Sequence, residues 1–247
     1  MYKLSKALLC EQSPYFAATF NGKFKEDEDQ STILEEVDGV VTIRSFQMLV
    51  QWLYSHRVVF GDSSPEETIT LILEFVRLAD MCEVTGMESL MAEQVKGLIL
   101  ANTGTNGCCI NLQHVASAAS LPQEHLVRGV FAAAAVKEFF HHDDSQFIDT
   151  AKEDLHFSAD LLRVMKATFK SFTHTKRGVT FKDPLSGERT ELRFNRASIP
   201  DVEFMIVFIG LDGNLKNLSW CQVLWHIIIA MVDDAIDYPQ RIGIVFH

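Results

Sequence analysis

Basic residues are in deficit. The 247 residues include 22 lysines and arginines against 33 aspartates and glutamates, a formal net charge of −11. An acidic surface repels a phosphate backbone, which excludes duplex nucleic acid as the expected partner. The one adjacent basic pair, Lys176-Arg177, is too short to form a patch. Cysteine is also sparse and badly spaced for cross-linking. The five, Cys10, Cys82, Cys108, Cys109 and Cys221, are odd in number and contain no C-x-x-C. That usage fits a reducing compartment, the cytosol or nucleus. The first residues, MYKLSKALLC, hold no apolar stretch of the kind a secretory leader needs. Residues 223–232 are the most apolar late segment, and their length of about ten is half of the roughly 20 that cross a bilayer. No membrane partner is expected.

Catalytic signatures are missing too. There is no G-x-S-x-G, no Walker A loop, no G-x-G-x-x-G and no H-E-x-x-H. Gly104-Thr105-Asn106-Gly107 is glycine-rich but has no basic neighbour to meet a phosphate, and it reads as a linker. His141-His142-Asp143-Asp144 is the best metal candidate. On a helix only His141 and Asp144 share a face, so a site needs donors from elsewhere; a polar helix end is the plainer reading. Asp233, Asp234 and Asp237 cluster without a His, Arg or Lys to complete acid–base work and read as a solvated helix end. Cys10 and His226 sit among apolar neighbours and read as packed residues. The expectation is a protein that is not an enzyme, with no cofactor and no metal.

What the chain does have is an ordinary globular balance, 47% hydrophobic and 22% charged, sufficient for a core without disulfides. Residues 6–20 read as helix, interrupted where Ser13 caps and Pro14 opens a second short helix. A polar loop spans 21–30. Residues 32–34 and 58–60 are short strand candidates. Between them Phe46, Leu49, Val50 and Leu53 follow helical spacing. Ser64-Pro65-Glu66-Glu67 is a capping-box pattern opening a helix with Ile69, Ile72, Val76 and Ala79 on one face. Gly86 ends that helix, and Met87, Leu90, Met91, Val95 and Leu98 carry the next. After a linker at 101–107, helices are expected at 111–119 and 123–140, with another holding Leu161, Met165, Phe169 and Phe172. Residues 179–182 and 190–194 alternate around Asp183-Pro184-Leu185-Ser186-Gly187, a β-hairpin. Farther on, 204–211 reads as a strand, 218–232 as an apolar helix and 242–246 as a strand.

Several pieces, in order, resemble a fungal-type BTB/POZ domain. Leu4-Ser5-Lys6-Ala7-Leu8-Leu9-Cys10 is similar to the lead into its first helix, and Ser13-Pro14-Tyr15-Phe16 to its helix restart. Phe20-Asn21-Gly22-Lys23-Phe24-Lys25-Glu26 is similar to the following loop. Gln51-Trp52-Leu53-Tyr54 looks like the close of the next helix, and Leu78-Ala79-Asp80 with Met87-Glu88-Ser89-Leu90 like the last helix pair. Later, Val130 to Val136 and Phe157-Ser158-Ala159-Asp160-Leu161-Leu162 resemble the helical, BACK-like extension of such proteins. The resemblance implies an α+β fold: a BTB/POZ-like helical cluster capping a small sheet, then a mostly helical extension and a β-hairpin. It divides the chain into 1–100, a BTB/POZ-like domain; 108–175, the helical extension; and 176–247, the hairpin and an unmatched C-terminal region.

One departure bears on function. The family begins with a hydrophobic strand before the first helix, and that strand is absent ahead of Lys3, which predicts an unpaired sheet edge. The same strand is exchanged in domain-swapped dimers, so its absence counts against self-association by that route. The function the resemblance implies is an adaptor that recruits protein partners to a cullin-type ubiquitin ligase, in the cytoplasm or nucleus. The alternative is an oligomerisation or scaffold module of transcription-associated or structural complexes with no ligase role. In cullin-binding relatives the loop after the first helix pair carries a hydrophobic-x-Glu motif, which Phe24-Lys25-Glu26 resembles, so Phe24 and Glu26 are the implied partner-binding residues. Independently, Phe24 is an aromatic in a polar loop, the type of side chain that anchors interfaces.

Overall fold

The computed structural model describes residues 2–22, 26, 31–37, 39–102, 109–141, 146–175 and 178–193. All lie in one unit of the chain, Met1–Arg193. The elements expected beyond it, at 204–211, 218–232 and 242–246, lie outside the described residues, as do Asp233, Asp234, Asp237 and His226.

The first helices are α1, Lys6–Gln12, and α2, Pro14–Asn21. Ser13 separates them as expected: its backbone is extended, its hydroxyl accepts from the Phe16 amide, and Pro14 takes the first helical position, where a missing N–H costs nothing. Helix α3, Ile43–Ser55, starts at a reciprocal capping box between Thr42 and Ser45 and stops at His56, whose φ of 51° is left-handed. Helix α4, Pro65–Met81, is capped by the Ser64 hydroxyl at the Glu67 amide, while the Glu67 carboxylate lies 3.5 Å from Arg44. Its face of Ile69, Ile72, Val76 and Ala79 is fully buried, as the spacing predicts.

Gly86, with φ +97°, makes the turn into α5, Glu88–Asn102. Met91, Ala92, Val95 and Ile99 face inward there; Leu90, expected on that face, is 51% exposed. Helices α6, Leu112–Ala119, and α7, Leu126–His141, follow, the latter starting three residues later than the pattern suggests. Helix α8, Gln146–Glu153, was not expected. Helix α9, Leu155–Phe169, is capped by Asp154 and buries Leu161 and Met165. The hairpin is present, as β2, Gly178–Lys182, and β3, Arg189–Arg193, with an additional strand, β1, Thr173–Thr175, giving an antiparallel order β1-β2-β3. Asp183 organises the hairpin turn by accepting from the Leu185 amide at 3.0 Å and the Ser186 hydroxyl at 2.8 Å.

The α+β expectation of a helical cluster, a small sheet, a helical extension and a hairpin therefore holds. Two strand candidates do not: neither 32–34 nor 58–60 is paired as a strand, and the isolated bridge Val37–Val41 is the nearest ladder contact. A strand needs a neighbour to bond, and among the described residues neither segment has one.

One hydrophobic cluster runs from Leu9 through Trp52, Phe75, Met91 and Phe131 to Leu161. Helix α4 packs against α6, and α5 against α7, so helices before and after residues 103–108 share that core. Phe46, expected inside, is half-buried and stacks edge-on to Tyr2, while Trp52 is buried beside Phe75. In the extension Arg128 is buried with Asp160 as its ion pair, and its other nitrogens donate to the carbonyl oxygens of Ala119, Leu121 and His156.

Candidate partner-binding surface

The candidate surface follows α2, so its position depends on how the α1–α2 hairpin is held. Leu9, Phe16 and Phe20 bury its inner side. Polar contacts then fix it to α3: the Ser5 amide donates to the Tyr54 hydroxyl at 2.9 Å, and Gln12 Nε2 donates to the Leu53 carbonyl at 2.9 Å. Lys6 Nζ donates to the carbonyl of Phe20 at 2.6 Å, across the hairpin and near the C-terminal end of α2, where a cation suits the helix dipole. The last turn closes with the Gly22 amide on the Ala18 carbonyl.

Beyond it stands the implied partner-binding pair. Phe24 lies outside the described residues. Glu26 is described; it is half-buried, and its backbone carbonyl accepts from the Ser31 amide at 3.3 Å. Among the described residues its carboxylate has no hydrogen-bond or ion-pair partner, so it is available to a basic group or a helix N-terminus on a binding protein.

The far end of this surface is clasped by α4, a feature the sequence reading missed. Arg77 Nη1 donates to the Gly39 carbonyl at 2.9 Å. Gly39 has φ +64°, and a Cβ there would sit 3.2 Å from the same nitrogen. Glu74, buried on α4, accepts from the Thr42 hydroxyl at 3.0 Å and Arg44 at 3.4 Å. Ser45 Oγ donates to the Val40 carbonyl at 2.7 Å. Neither the Thr42–Ser45 capping box nor its link to Glu74, some thirty residues away, was read from the sequence. Around the clasp the exposed apolar side chains are Ile33, Val37 and Ile43. A half-exposed Arg44 paired with the buried Glu74, beside exposed apolar groups, can hold a protein surface but offers no nucleophile or acid–base pair.

Other candidates do not converge. His142, Asp143 and Asp144 lie outside the described residues, and among those described no group of three or more His, Cys, Asp or Glu could hold a metal. Cys10 is half-buried against the core, its thiol 3.7 Å from the Phe16 carbonyl. No described helix is long and apolar enough to cross a membrane.

No curated protein and no solved structure matches the chain. Its residues 1–90, which contain the α1–α2 hairpin, the clasped loop and helices α3 and α4, match the family model of the BTB/POZ domain, a protein–protein interaction module.

Proposed function

We propose that this chain is an adaptor that recruits protein partners to a cullin-type ubiquitin-ligase scaffold, in the cytoplasm or nucleus, with Phe24 and Glu26 at the contact. The observation that carries the reading is the match of residues 1–90 to an interaction domain, combined with a hairpin rigidly held on α3 that delivers Glu26 with an unpaired carboxylate. Residues 1–100 would form the scaffold-facing domain, 108–175 the helical extension, and 176–247 the remainder. Partner contact by Phe24 gives an aromatic anchor with a flanking charge, a pattern common in interface hot spots. The test is sedimentation of the full chain with a cullin N-terminal fragment. A 1:1 complex that Glu26→Lys disperses supports the reading; two independently sedimenting species at micromolar concentration contradict it.

A second reading is an oligomerisation or scaffold module of transcription-associated or structural complexes without a ligase role. It is favoured by exposed Ile43, Tyr54 and Val59, apolar groups available to another copy. Sedimentation of the chain alone separates the two: a concentration-dependent dimer favours this second reading, a monomer the first.

A further inference from the structure

The outer face of the β1-β2-β3 sheet carries an uncompensated pair of cations. Residues 170–193 hold Lys170, Lys176, Arg177, Lys182, Arg189 and Arg193 against Asp183, Glu188 and Glu191, a basic stretch on a chain of net charge −11. The inner face of β2 is used by the core: Val179 and Phe181 are buried, and Phe181 packs edge-on to Phe140. Strand alternation turns Thr180 and Lys182 the other way. The register sets Lys182 directly opposite Arg189, with Thr180 between Thr173 and Glu191 on the same face. Like charges opposed across a rung, their Cβ atoms about 5 Å apart, destabilise a hairpin. Both side chains are exposed, and among the described residues neither has an ion-pair or hydrogen-bond partner. Nearby carboxylates do not relieve them. Asp183 is buried and bonded within the turn, Glu191 has an interaction of its own, and the exposed Glu188 pairs with neither cation. The turn is well fastened, with the Asp183 amide on the Glu188 carbonyl at 2.8 Å and Leu185 buried, so the rung is held in place before anything binds.

We propose that this sheet face docks an acidic segment of a partner protein, whose carboxylates Lys182 and Arg189 share. The occupant's chemistry follows from the rung. Arg189 offers a planar fork that matches a carboxylate, and Lys182 a mobile ammonium beside it. An anion lying between them turns a like-charge opposition into two attractions. Thr173, exposed on the same face, adds a hydroxyl. Nucleic acid is the poorer fit, because two cations supply a fraction of the roughly six to ten phosphate contacts on which such binding draws. The acidic remainder of the chain does not forbid an acidic peptide here, since at physiological salt its repulsion is screened beyond about 8 Å. A second copy would bring a whole chain of net charge −11 against another. The inference goes beyond the cullin reading and uses neither Phe24 nor Glu26.

The test uses the full chain and a synthetic decapeptide of alternating glutamate and serine, with an alternating lysine–serine decapeptide and a single-stranded decanucleotide as controls. In amide NMR spectra at low salt the acidic peptide should shift the hairpin resonances of β2 and β3, with an affinity that falls as salt rises. Lys182→Glu turns the rung into an opposite-charge pair. It should hold or raise the melting temperature while weakening the peptide by about tenfold or more, a combination that a merely structural role for Lys182 does not give. Arg189→Gln, which relieves the opposition without adding charge, should weaken it by about threefold or more. Lys182→Arg should bind as wild type does. Failure of the acidic peptide to bind, equal binding by Lys182→Glu and Arg189→Gln, equal binding of the lysine peptide, or shifts confined to other parts of the chain would each overturn the proposal. Tighter binding of the decanucleotide would overturn it in favour of nucleic acid, and a concentration-dependent dimer that Lys182→Glu disperses would overturn it in favour of a second copy.

Discussion

The hydroxyl of Ser13 donates to the carbonyl oxygen of Cys82 across 2.5 Å, tying the break between α1 and α2 to the end of α4, 69 residues later. Ser13 Oγ in turn accepts from the Phe16 amide at 3.1 Å, and Ser13 is fully buried. Ser13→Ala therefore removes a helix cap and leaves a buried carbonyl unpaired. Unfolding by urea should show a loss of about 2 kcal/mol. Ser13→Thr, which keeps the hydroxyl, should recover part of it. An alanine variant as stable as wild type would mean that the hairpin is held by its apolar face alone.

Arg128 and Asp160 form the corresponding tie in the extension, joining α7 to α9 in a buried setting. Arg128→Met strands the Asp160 carboxylate, although Arg163 still reaches it at 3.1 Å, and frees the carbonyls of Ala119 and Leu121. We expect a loss of about 3–5 kcal/mol. The double variant with Asp160→Leu should lose less than Arg128→Met, because no lone charge stays inside. Thermal melts of the pair, read as a double-mutant cycle, check this; additive losses would contradict the coupling.

Two imidazoles give a pH dependence of defined sign. His114 Nδ1 accepts the Asn111 amide, which leaves Nε2–H to donate to the Thr70 hydroxyl at 2.8 Å. His125 Nδ1 accepts the Val127 amide. Burial lowers both pKa values from 6.5, opposed by Glu66 for His114 and by Glu88 and Asp80 for His125. The fold thus keeps both neutral, and the unfolded chain binds more protons. Their contribution to stability is complete above pH 6.5 and declines as pH falls through 6.5 toward the lower folded values. The melting temperature should drop between pH 7 and 5. His114→Gln with His125→Asn, which keep acceptors at both caps without titrating, should flatten that slope. An unchanged slope would remove both histidines from the account.

Trp52 and Phe46 lie on the same helix but differ in burial. Trp52→Ala should cost about 3–5 kcal/mol, through a cavity next to Phe75. Phe46→Ala should cost less than half of that, losing chiefly its edge contact with Tyr2 at 5.0 Å. Denaturant midpoints of the two variants test the ranking, and equal losses would refute it.

Local chemistry was the legible part. Ser13-Pro14 and Ser64-Pro65 marked helix starts because a cap and an N1 proline act within four residues. The α4 face was legible because its period is carried by Ile69, Ile72 and Val76 alone. Leu90 misled because it sits one residue before Met91, off the stripe of Met87, Met91, Val95 and Ile99 that is buried. Residues 32–34 have strand composition and strand alternation, yet pairing depends on a neighbour that composition does not report. The Glu74 and Arg77 clasp and the Arg128–Asp160 pair join residues about thirty or more apart, and single charged positions carry no periodic signal. Of the two residues proposed for partner contact, the structure describes Glu26, and resemblance rather than geometry connects it with Phe24.

The central claim is partner recruitment through the loop after α2, and calorimetric titration of a cullin N-terminal fragment into wild type, Phe24→Ala and Glu26→Lys tests it most directly. Saturable binding by wild type with a loss of about 2 kcal/mol or more in each variant is the predicted result. Equal affinity in all three, or no heat of binding with wild type, would contradict it.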